Sequence, residues 1–144
     1  MIESAGTHVT IDAFVRDVDV FNEDTLYILF DDLVQILKSE FLARPRFYEV
    51  PIDPEILRKS EETGEFHDEG GLTAFCVITK SHISLHAWPL QSFFSMDIFS
   101  CGKYDPEEAI DTVKGRMGIR TASVTIMERK KRQPPKVKSL IICS

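Results

Sequence analysis

Cysteine, positive charge and long apolar runs are all scarce in this 144-residue chain, and each shortage excludes a class of protein. The three cysteines cannot all pair with one another and no CxxC motif is present, so we expect free thiols in a reducing, cytoplasmic setting. No apolar run approaches the roughly 20 residues that a membrane-spanning helix requires. The start of the chain, MIESAGTH, also lacks the basic and apolar segments of a signal peptide. The sequence therefore predicts a soluble protein with no membrane partner.

The charge balance is acidic and uneven along the chain. A net charge of −6 disfavours binding to DNA or to an anionic membrane, so we expect no nucleic-acid partner. Seven acids lie in residues 53–69, and we interpret residues 53–70 as a loop with one helical turn over 54–59. Six bases and no acid lie in residues 129–138, which indicates a solvated, mobile tail or a contact with an acidic partner.

The periodicity of apolar residues predicts two helices and about six strands. Asn22 and Asp105 are each followed by acidic residues and then by an apolar stripe at helical spacing, as at helix N-termini. Gly118 is placed to end the second helix. Alternating or β-branched runs predict the strands, at residues 7–15, 47–52, 72–79, 83–88, 93–100 and 122–127.

The predicted order of these elements is β-α-β-β-β-β-α-β. Links of hairpin length join the middle strands, and short links between consecutive strands require antiparallel pairing. The sequence therefore predicts an α+β fold, a two-layer sandwich in which two helices lie on one face of a largely antiparallel sheet. A chain of 144 residues is expected to form a single domain, residues 1–144.

The side chains that could do chemistry are concentrated in residues 71–102. By strand alternation, His82, Ser84, His86 and Trp88 share one face of a predicted strand. A single histidine there would be typical of a structural role, whereas two histidines and a serine on one face indicate a site. Ser81 begins this strand, and taken alone it is typical of a turn residue.

The next predicted strand presents Asp97 and Cys101 on one face. Asp97 lies among apolar neighbours, so it must be paired or exposed, and it is either structural or part of the site. Cys101, at the end of the strand, is typical of an inert buried thiol.

Two kinds of site stay open from these residues alone. His82, His86 and Cys101 are all possible zinc ligands, but positions i and i+4 of a strand lie about 13 Å apart, and no fourth ligand is evident. Cys101, His86 and Asp97 are also possible members of a nucleophilic set, although the turn that hydrolases commonly use to present a nucleophile is missing. We expect no bound metal. The nucleophilic set is a less favoured alternative than the zinc site.

Taken together, three short motifs resemble the prokaryotic type of S-adenosylmethionine decarboxylase. That family carries a Glu-Ser-His triplet, then His-x-x-Pro-Glu, then an aromatic strand that ends in Asp-x-Phe-x-Cys-Gly. Here the corresponding segments are Lys80-Ser81-His82, HAWPL from His86, and DIFSCG from Asp97. The opening strand and helix and the closing helix and strand also fit, so the resemblance extends over nearly the whole chain.

The resemblance implies a proenzyme that cuts itself between Lys80 and Ser81 into chains 1–80 and 81–144. Ser81 would attack the carbonyl of Lys80 to give an ester, and elimination and hydrolysis would leave a covalent pyruvoyl group at position 81. That cofactor forms a Schiff base with the substrate amine and accepts the electrons left by CO2. By the same match His86 assists processing, Thr73 keeps the hydroxyl of a processing serine, and Cys101 is the proton donor.

Two departures from the family pattern bear on the substrate. Lys80 replaces the glutamate before the processed serine, and Leu90 replaces a glutamate that binds the ribose hydroxyls of S-adenosylmethionine in the family. Losing that carboxylate leaves buried hydroxyls unpaired, at about 1–3 kcal/mol each. With Leu90 and Asp97 as candidate substrate-binding residues, we expect a decarboxylase of polyamine biosynthesis that acts on arginine or ornithine. The acidic residues 53–69 are candidates to hold such a basic side chain.

Two alternatives stay open. The substrate is S-adenosylmethionine itself, in an enzyme that makes the aminopropyl donor for spermidine, or the chain is an uncut, inactive paralogue that regulates an active decarboxylase. The resemblance also implies a homodimer of processed protomers with helices outside and sheets facing inward. Apart from the second protomer, the expected partner is a small amino-acid-type substrate.

Overall fold

A computed structural model describes residues 3–65 and 70–143 of the chain. The elements in this described part are, in chain order, β1 (Ser4–Val15), α1 (Glu23–Ile36), β2 (Arg46–Val50), α2 (Pro54–Thr63), β3 (Gly71–Ile78), β4 (Ser81–Trp88), β5 (Phe93–Ser100), α3 (Pro106–Met117), β6 (Ile119–Lys130) and β7 (Lys136–Cys143). Short 3-10 helices lie at Val18–Val20 and Pro89–Gln91. The strands form one seven-stranded sheet in the order β2-β3-β4-β5-β1-β6-β7.

Every neighbouring pair of strands in this sheet is antiparallel. The hydrophobic core lies between one face of the sheet and the helices α1 and α3. Alternate strand residues such as Val9 and Ile83 are fully buried and join one apolar cluster with Phe30 of α1 and Val113 of α3. The predicted α+β sandwich with an antiparallel sheet is therefore confirmed.

The opposite face of the sheet, called the open face below, presents partly exposed side chains. Register places Tyr48, Thr73 and His86 of β2, β3 and β4 in one row across it. Large apolar side chains on this face include Phe14 and Phe75, which are 39% and 40% exposed. These apolar side chains stand on different strands, and polar residues such as Ser84 and Asp97 lie beside Phe75 in the register.

The predicted helix ends are confirmed for α1 and α3. The Asn22 side chain accepts a hydrogen bond from the Thr25 N–H at 2.8 Å, which satisfies a donor at the start of α1. Asp105 does the same for Glu107 at 3.0 Å at the start of α3. Gly118 ends α3 with φ 62°, a left-handed conformation that glycine adopts without steric cost.

Two sequence expectations about the fold are wrong. Residues 53–65 are not a loop with one turn, because Pro54–Thr63 forms the ten-residue helix α2, capped by the Asp53 side chain. The rest of the expected acidic loop includes residues 66–69, which lie outside the described residues. The basic segment 129–138 is not a mobile tail, because β6 extends through Lys130 and Lys136–Cys143 pairs with it as the edge strand β7. The described chain thus has one more helix and one more strand than expected.

Within the described residues, no helix has both the length and the apolar character needed to cross a membrane.

Candidate active site

Ser81 is the first residue of β4 and has an unusual backbone conformation. Its φ is 144°, a value that residues with a side chain rarely adopt. Its hydroxyl oxygen lies 3.0 Å from Nδ1 of the next residue, His82. Rotation about the Ser81 N–Cα bond orients the Lys80 peptide relative to the Ser81 side chain, so the positive φ bears on how the hydroxyl faces the Lys80 carbonyl.

The peptide group before Ser81 is held from both sides. The Lys80 N–H donates to the Ser39 hydroxyl at 3.2 Å, and the Lys80 carbonyl accepts from the Cys101 N–H at 2.9 Å. The Lys80 side chain lies against Gly102, where an added Cβ would come within 2.8 Å of the lysine Cδ. The carbonyl carbon next to the Ser81 hydroxyl therefore belongs to a fixed and polarised group.

Cys101 follows the last residue of β5 and is exposed, so the expectation of a buried thiol is wrong at this position. The buried cysteine is Cys76, and burial raises the pKa of its thiol to about 12. Nearby, the Tyr104 hydroxyl donates to the Thr7 carbonyl at 3.0 Å and ties the segment after Cys101 to β1. Burial raises the pKa of Tyr104, so this hydroxyl stays a donor at neutral pH.

Two histidine rings pack against one phenylalanine on the open face beside Ser81. The ring centroids of His82 and His8 each lie 5.7 Å from that of Phe99, which stands between them. His8 Nε2 lies 2.9 Å from an Asp97 carboxylate oxygen. The Arg129 guanidinium lies 4.6 Å from the Phe99 ring centroid, within cation–π range. The set His8, Phe99 and His82 is called the ring stack below.

A second group of site residues lies at the other end of β4. His86 Nδ1 is 2.7 Å from the Thr73 hydroxyl on the adjacent strand. The Trp88 ring packs edge-on against His86, with centroids 4.3 Å apart. Leu90 follows in the 3-10 helix at Pro89–Gln91 and is 44% exposed. Thr73 and His86 therefore share one end of the open face, and Leu90 follows β4 at that end.

The two groups do not meet within one protomer. Ser81 and His86 are five positions apart on one strand, which is a separation of about 16 Å along β4. The nucleophilic set of Cys101, His86 and Asp97 does not form either, because Asp97 pairs with His8 and His86 pairs with Thr73. Among the described residues, no three His, Cys, Asp or Glu side chains are grouped so as to hold a metal ion.

His8 was not singled out from the sequence, and His82 was considered only as a possible zinc ligand and as part of a polar strand face. Both were visible as residues, but only the strand order shows that β1 lies beside β5, which pairs His8 with Phe99. The same register pairs His82 with Phe99 from the other side. The alternation of histidines on β4 indicated a site. Only the position of β1 beside β5 shows that His8 belongs to the same group of rings.

The family model and the similar proteins carry the same family description. Residues 7–130 match the family model for S-adenosylmethionine decarboxylase. A protein of Clostridium botulinum named S-adenosylmethionine decarboxylase proenzyme is 30% identical over 121 residues, which cover 83% of this chain and 90% of that protein. The protein of that name from Pyrobaculum neutrophilum is 38% identical over 65 residues, 44% of this chain and 52% of the relative. The match thus spans about half the length of the Pyrobaculum neutrophilum relative.

Two further similarities bear on the substrate and on the fold. An arginine decarboxylase proenzyme of Caldivirga maquilingensis is 30% identical over 63 residues, 43% of this chain and 47% of that protein. The crystal structure of the adenosylmethionine decarboxylase from Aquifex aeolicus matches with a TM-score of 0.66 and 19% identity, over 92% of this chain and 96% of that one. This second likeness supports the fold alone.

Proposed function

Because the chain belongs to the S-adenosylmethionine decarboxylase family, we propose that it is a self-processing, pyruvoyl-dependent decarboxylase of polyamine biosynthesis that acts on arginine or ornithine. The observation that supports the proposal is the set of hydrogen-bond contacts around the Lys80–Ser81 peptide bond. A hydroxyl with a ring nitrogen 3.0 Å away follows a carbonyl that accepts a hydrogen bond from the Cys101 N–H. These are the parts that an attack of serine on its own preceding peptide bond requires.

The backbone strain at Ser81 favours cleavage at this bond. A φ of 144° in a residue with a side chain costs on the order of 1–3 kcal/mol, and the rest of the fold must hold it there. Cutting between Lys80 and Ser81 removes the constraint on that torsion. The strain is therefore relieved by the reaction that the family performs.

The residues around Ser81 suit a pyruvoyl group formed from it. Such a ketone supplies the electron sink that decarboxylation of an α-amino acid needs and that ordinary side chains lack. The ring stack lies beside this position through His82. Cys101, whose N–H binds the Lys80 carbonyl, also carries an exposed thiol that would give a proton to the product. Ser81, His82 and Cys101 are thus the residues that would form and surround the group.

Leu90 supports a basic amino acid as the substrate. It is an exposed aliphatic side chain that cannot accept hydrogen bonds from ribose hydroxyls. The name of the Caldivirga maquilingensis relative, arginine decarboxylase proenzyme, fits a change of substrate within the family. The names of the Clostridium botulinum and Pyrobaculum neutrophilum relatives favour the second candidate substrate, S-adenosylmethionine.

The working unit that fits these positions is a homodimer whose two open faces meet. Ser81 and His86 lie toward opposite ends of β4, so a two-fold axis that lies between the two open faces and runs perpendicular to β4 would set the Ser81 end of one protomer against the His86 end of its partner. Thr73 and Leu90 share the His86 end and would enter the same site. The exposed apolar side chains of the open face would then be buried between protomers.

Two measurements on the wild-type protein test the proposed function. Denaturing gels and intact mass should show chains 1–80 and 81–144, the second starting with a pyruvoyl group in place of Ser81. Release of CO2 from arginine, ornithine, lysine and S-adenosylmethionine, assayed in parallel, should be fastest with arginine or ornithine. A chain that stays whole with Ser81 intact would support an uncut regulatory paralogue instead. Release from S-adenosylmethionine alone would refute the interpretation of Leu90.

A further inference from the structure

The contact between Ser81 and His82 places a base on the reacting hydroxyl. Nδ1 of His82 lies 3.0 Å from the Ser81 oxygen, which is within hydrogen-bond reach. With Nδ1 as acceptor, the hydroxyl donates to the ring and its oxygen carries a free lone pair. The positive φ of Ser81 is a separate feature of the site, because rotation about its N–Cα bond sets the orientation of the Lys80 carbonyl relative to this hydroxyl.

Packing fixes the His82 ring in this position. Phe99 lies against one side of it, at an interplanar angle of 53°. Phe99 is held in turn by His8 and Arg129, and His8 by its 2.9 Å contact with Asp97. His82 is therefore a half-buried ring with a defined orientation toward Ser81 rather than a free surface side chain.

The other described histidines are engaged elsewhere. His86 contacts Thr73 at the far end of β4, and His8 contacts Asp97. In a single protomer, neither of them can take the proton of the Ser81 hydroxyl directly. His82 is in contact with that hydroxyl in the protomer as folded, before any partner is bound.

We propose that His82 is a catalytic residue of self-cleavage, the general base for the attack of Ser81 on the Lys80 carbonyl. This inference rests on the proposed function. The Ser81 oxygen bonds to the Lys80 carbonyl carbon, its proton passes to His82 Nδ1, and the carbonyl electron pair moves to the oxygen that accepts from the Cys101 N–H. As that pair returns, the carbon–nitrogen bond breaks and the Ser81 nitrogen takes the proton from His82. The products are an ester and a free amine, with no other reactant.

The test uses the full-length chain and follows cleavage with and without hydroxylamine, which cuts esters but not peptide bonds. His82→Asn keeps a hydrogen-bond acceptor near the Nδ1 position but removes the base. We expect cleavage to slow by about 100-fold or more, and the whole chain to resist hydroxylamine because no ester has formed. In His82→Ala, added imidazole should restore part of the rate. Wild-type chain sampled early in processing is the positive control for hydroxylamine.

Several outcomes separate this inference from its rivals. His8→Asn, the same change at the other end of the ring stack, should slow cleavage less, since His8 does not touch Ser81. Cleavage of His82→Asn at close to the wild-type rate would overturn the inference, and so would a hydroxylamine-sensitive ester in that variant. The inference would also be overturned if added imidazole did not speed cleavage of a His82→Ala chain whose melting temperature matches that of wild type. A wild-type chain that never cuts would instead overturn the proposed function.

Discussion

Cys101 contributes two different groups to the site, a backbone N–H that binds the Lys80 carbonyl and a thiol. Substitution by alanine removes the thiol and keeps the N–H. Cys101→Ala should therefore cut at a rate near that of wild type but lose most of its CO2 release. Ser81→Ala should lose both, because it lacks the attacking hydroxyl.

The measurement is intact mass for cleavage and CO2 release for turnover, on the same preparations. Cys143→Ala is the matched control, since Cys143 is also exposed but lies at the end of β7. A Cys101→Ala chain that stays whole would show that the thiol itself is needed for cleavage.

Leu90 is the residue at which substrate choice is expected to be set. Leu90→Glu would offer a carboxylate to ribose hydroxyls, and a hydrogen bond to a charged group is worth about 1.5–3 kcal/mol. We expect the ratio of kcat/KM for S-adenosylmethionine to that for arginine or ornithine to rise by roughly 10- to 100-fold. CO2 release from these substrates measures the ratio.

The matched control is Ile28→Glu, which places the same carboxylate on an exposed aliphatic position of α1. It should leave the ratio unchanged. If Leu90→Glu also leaves it unchanged, position 90 does not contact the substrate.

The candidate site was partly predictable from sequence, and the roles of its residues stay predictions. Ser81, His86 and Cys101 were recognised because they belong to short motifs with fixed spacing along the chain. The ring stack was not predicted, because His8 and Phe99 are 91 positions apart and meet only through the pairing of β1 with β5. Chain-local patterns carry no information about which distant strand lies alongside.

At the scale of elements, α2 and α3 begin with the same sequence pattern, although only α3 was predicted as a full helix. Asp53-Pro54-Glu55 and Asp105-Pro106-Glu107 have the same pattern of N-cap, proline and acid, and both begin helices. The helix α3 was predicted because an apolar stripe follows, whereas α2 buries only Ser60. The N-cap pattern is common to both helices, whereas the polar and acidic composition of residues 53–69 indicated a loop.

The edge strand β7 was missed because its basic residues suggested a solvated tail. Leu140 and Ile142 pack against the core on one face, while Val137 and Ile141 are exposed on the other. This is the alternation of a half-buried strand. Lysines on such an edge strand also discourage pairing with further strands.

The cap of α3 gives a stability prediction. Asp105→Ala removes the acceptor for the N–H groups of Glu107 and Glu108, so the free energy of unfolding should fall by about 1 kcal/mol. Asp111→Ala removes the same charge from within α3 without touching the cap, and alanine favours helix. Urea unfolding of the two variants compares them, and equal losses would show that charge, not the cap, is responsible.

Gly6 allows β1 to approach the end of β5 closely. It also lies at a register shift in the pairing of β1 with β6. An added Cβ would lie 2.4 Å from the Ser100 carbonyl oxygen and 2.9 Å from Cys101 Cα, and the φ of 119° disfavours any side chain. Gly6→Ala should therefore displace Cys101 from the Lys80 carbonyl and slow self-cleavage, as followed on denaturing gels.

Gly115→Ala is the control for Gly6→Ala. Apart from the local backbone of α3, nothing lies within 4 Å of the added Cβ, and position 115 is within α3. This change should stabilise the fold by up to about 1 kcal/mol and leave cleavage unaltered. A Gly6→Ala chain that cuts at the wild-type rate would show that the Cys101 N–H need not keep its position.

At the scale of the whole molecule, the open face carries both the candidate site and several apolar side chains that are exposed in a single protomer. Phe75 and Val77 on β3, Phe14 on β1 and Ile141 on β7 all lie on this face. A dimer through this face would bury them and would supply each Ser81 with the partner's His86. A dimer interface would then account for both the apolar and the reactive side chains on the open face.

Mixed dimers test this arrangement directly. Ser81→Ala chains keep His86, and His86→Ala chains keep Ser81, so a site built across the interface is intact once in every mixed dimer. If the chains associate at random in equal amounts, about half of the His86→Ala chains should be in mixed dimers and become cut. Neither variant should cut to that extent alone. Chains of different mass, co-expressed and analysed by intact mass, identify which one is cut.

A site contained within one protomer predicts a different result. Every chain in the mixture would then lack either Ser81 or its own His86, so mixing would add nothing to the cleavage of the separate variants. Cutting of the Ser81→Ala chain is excluded under either arrangement and serves as the internal control. Cleavage of the His86→Ala chain that appears only on mixing therefore requires the partner's His86 to act on Ser81.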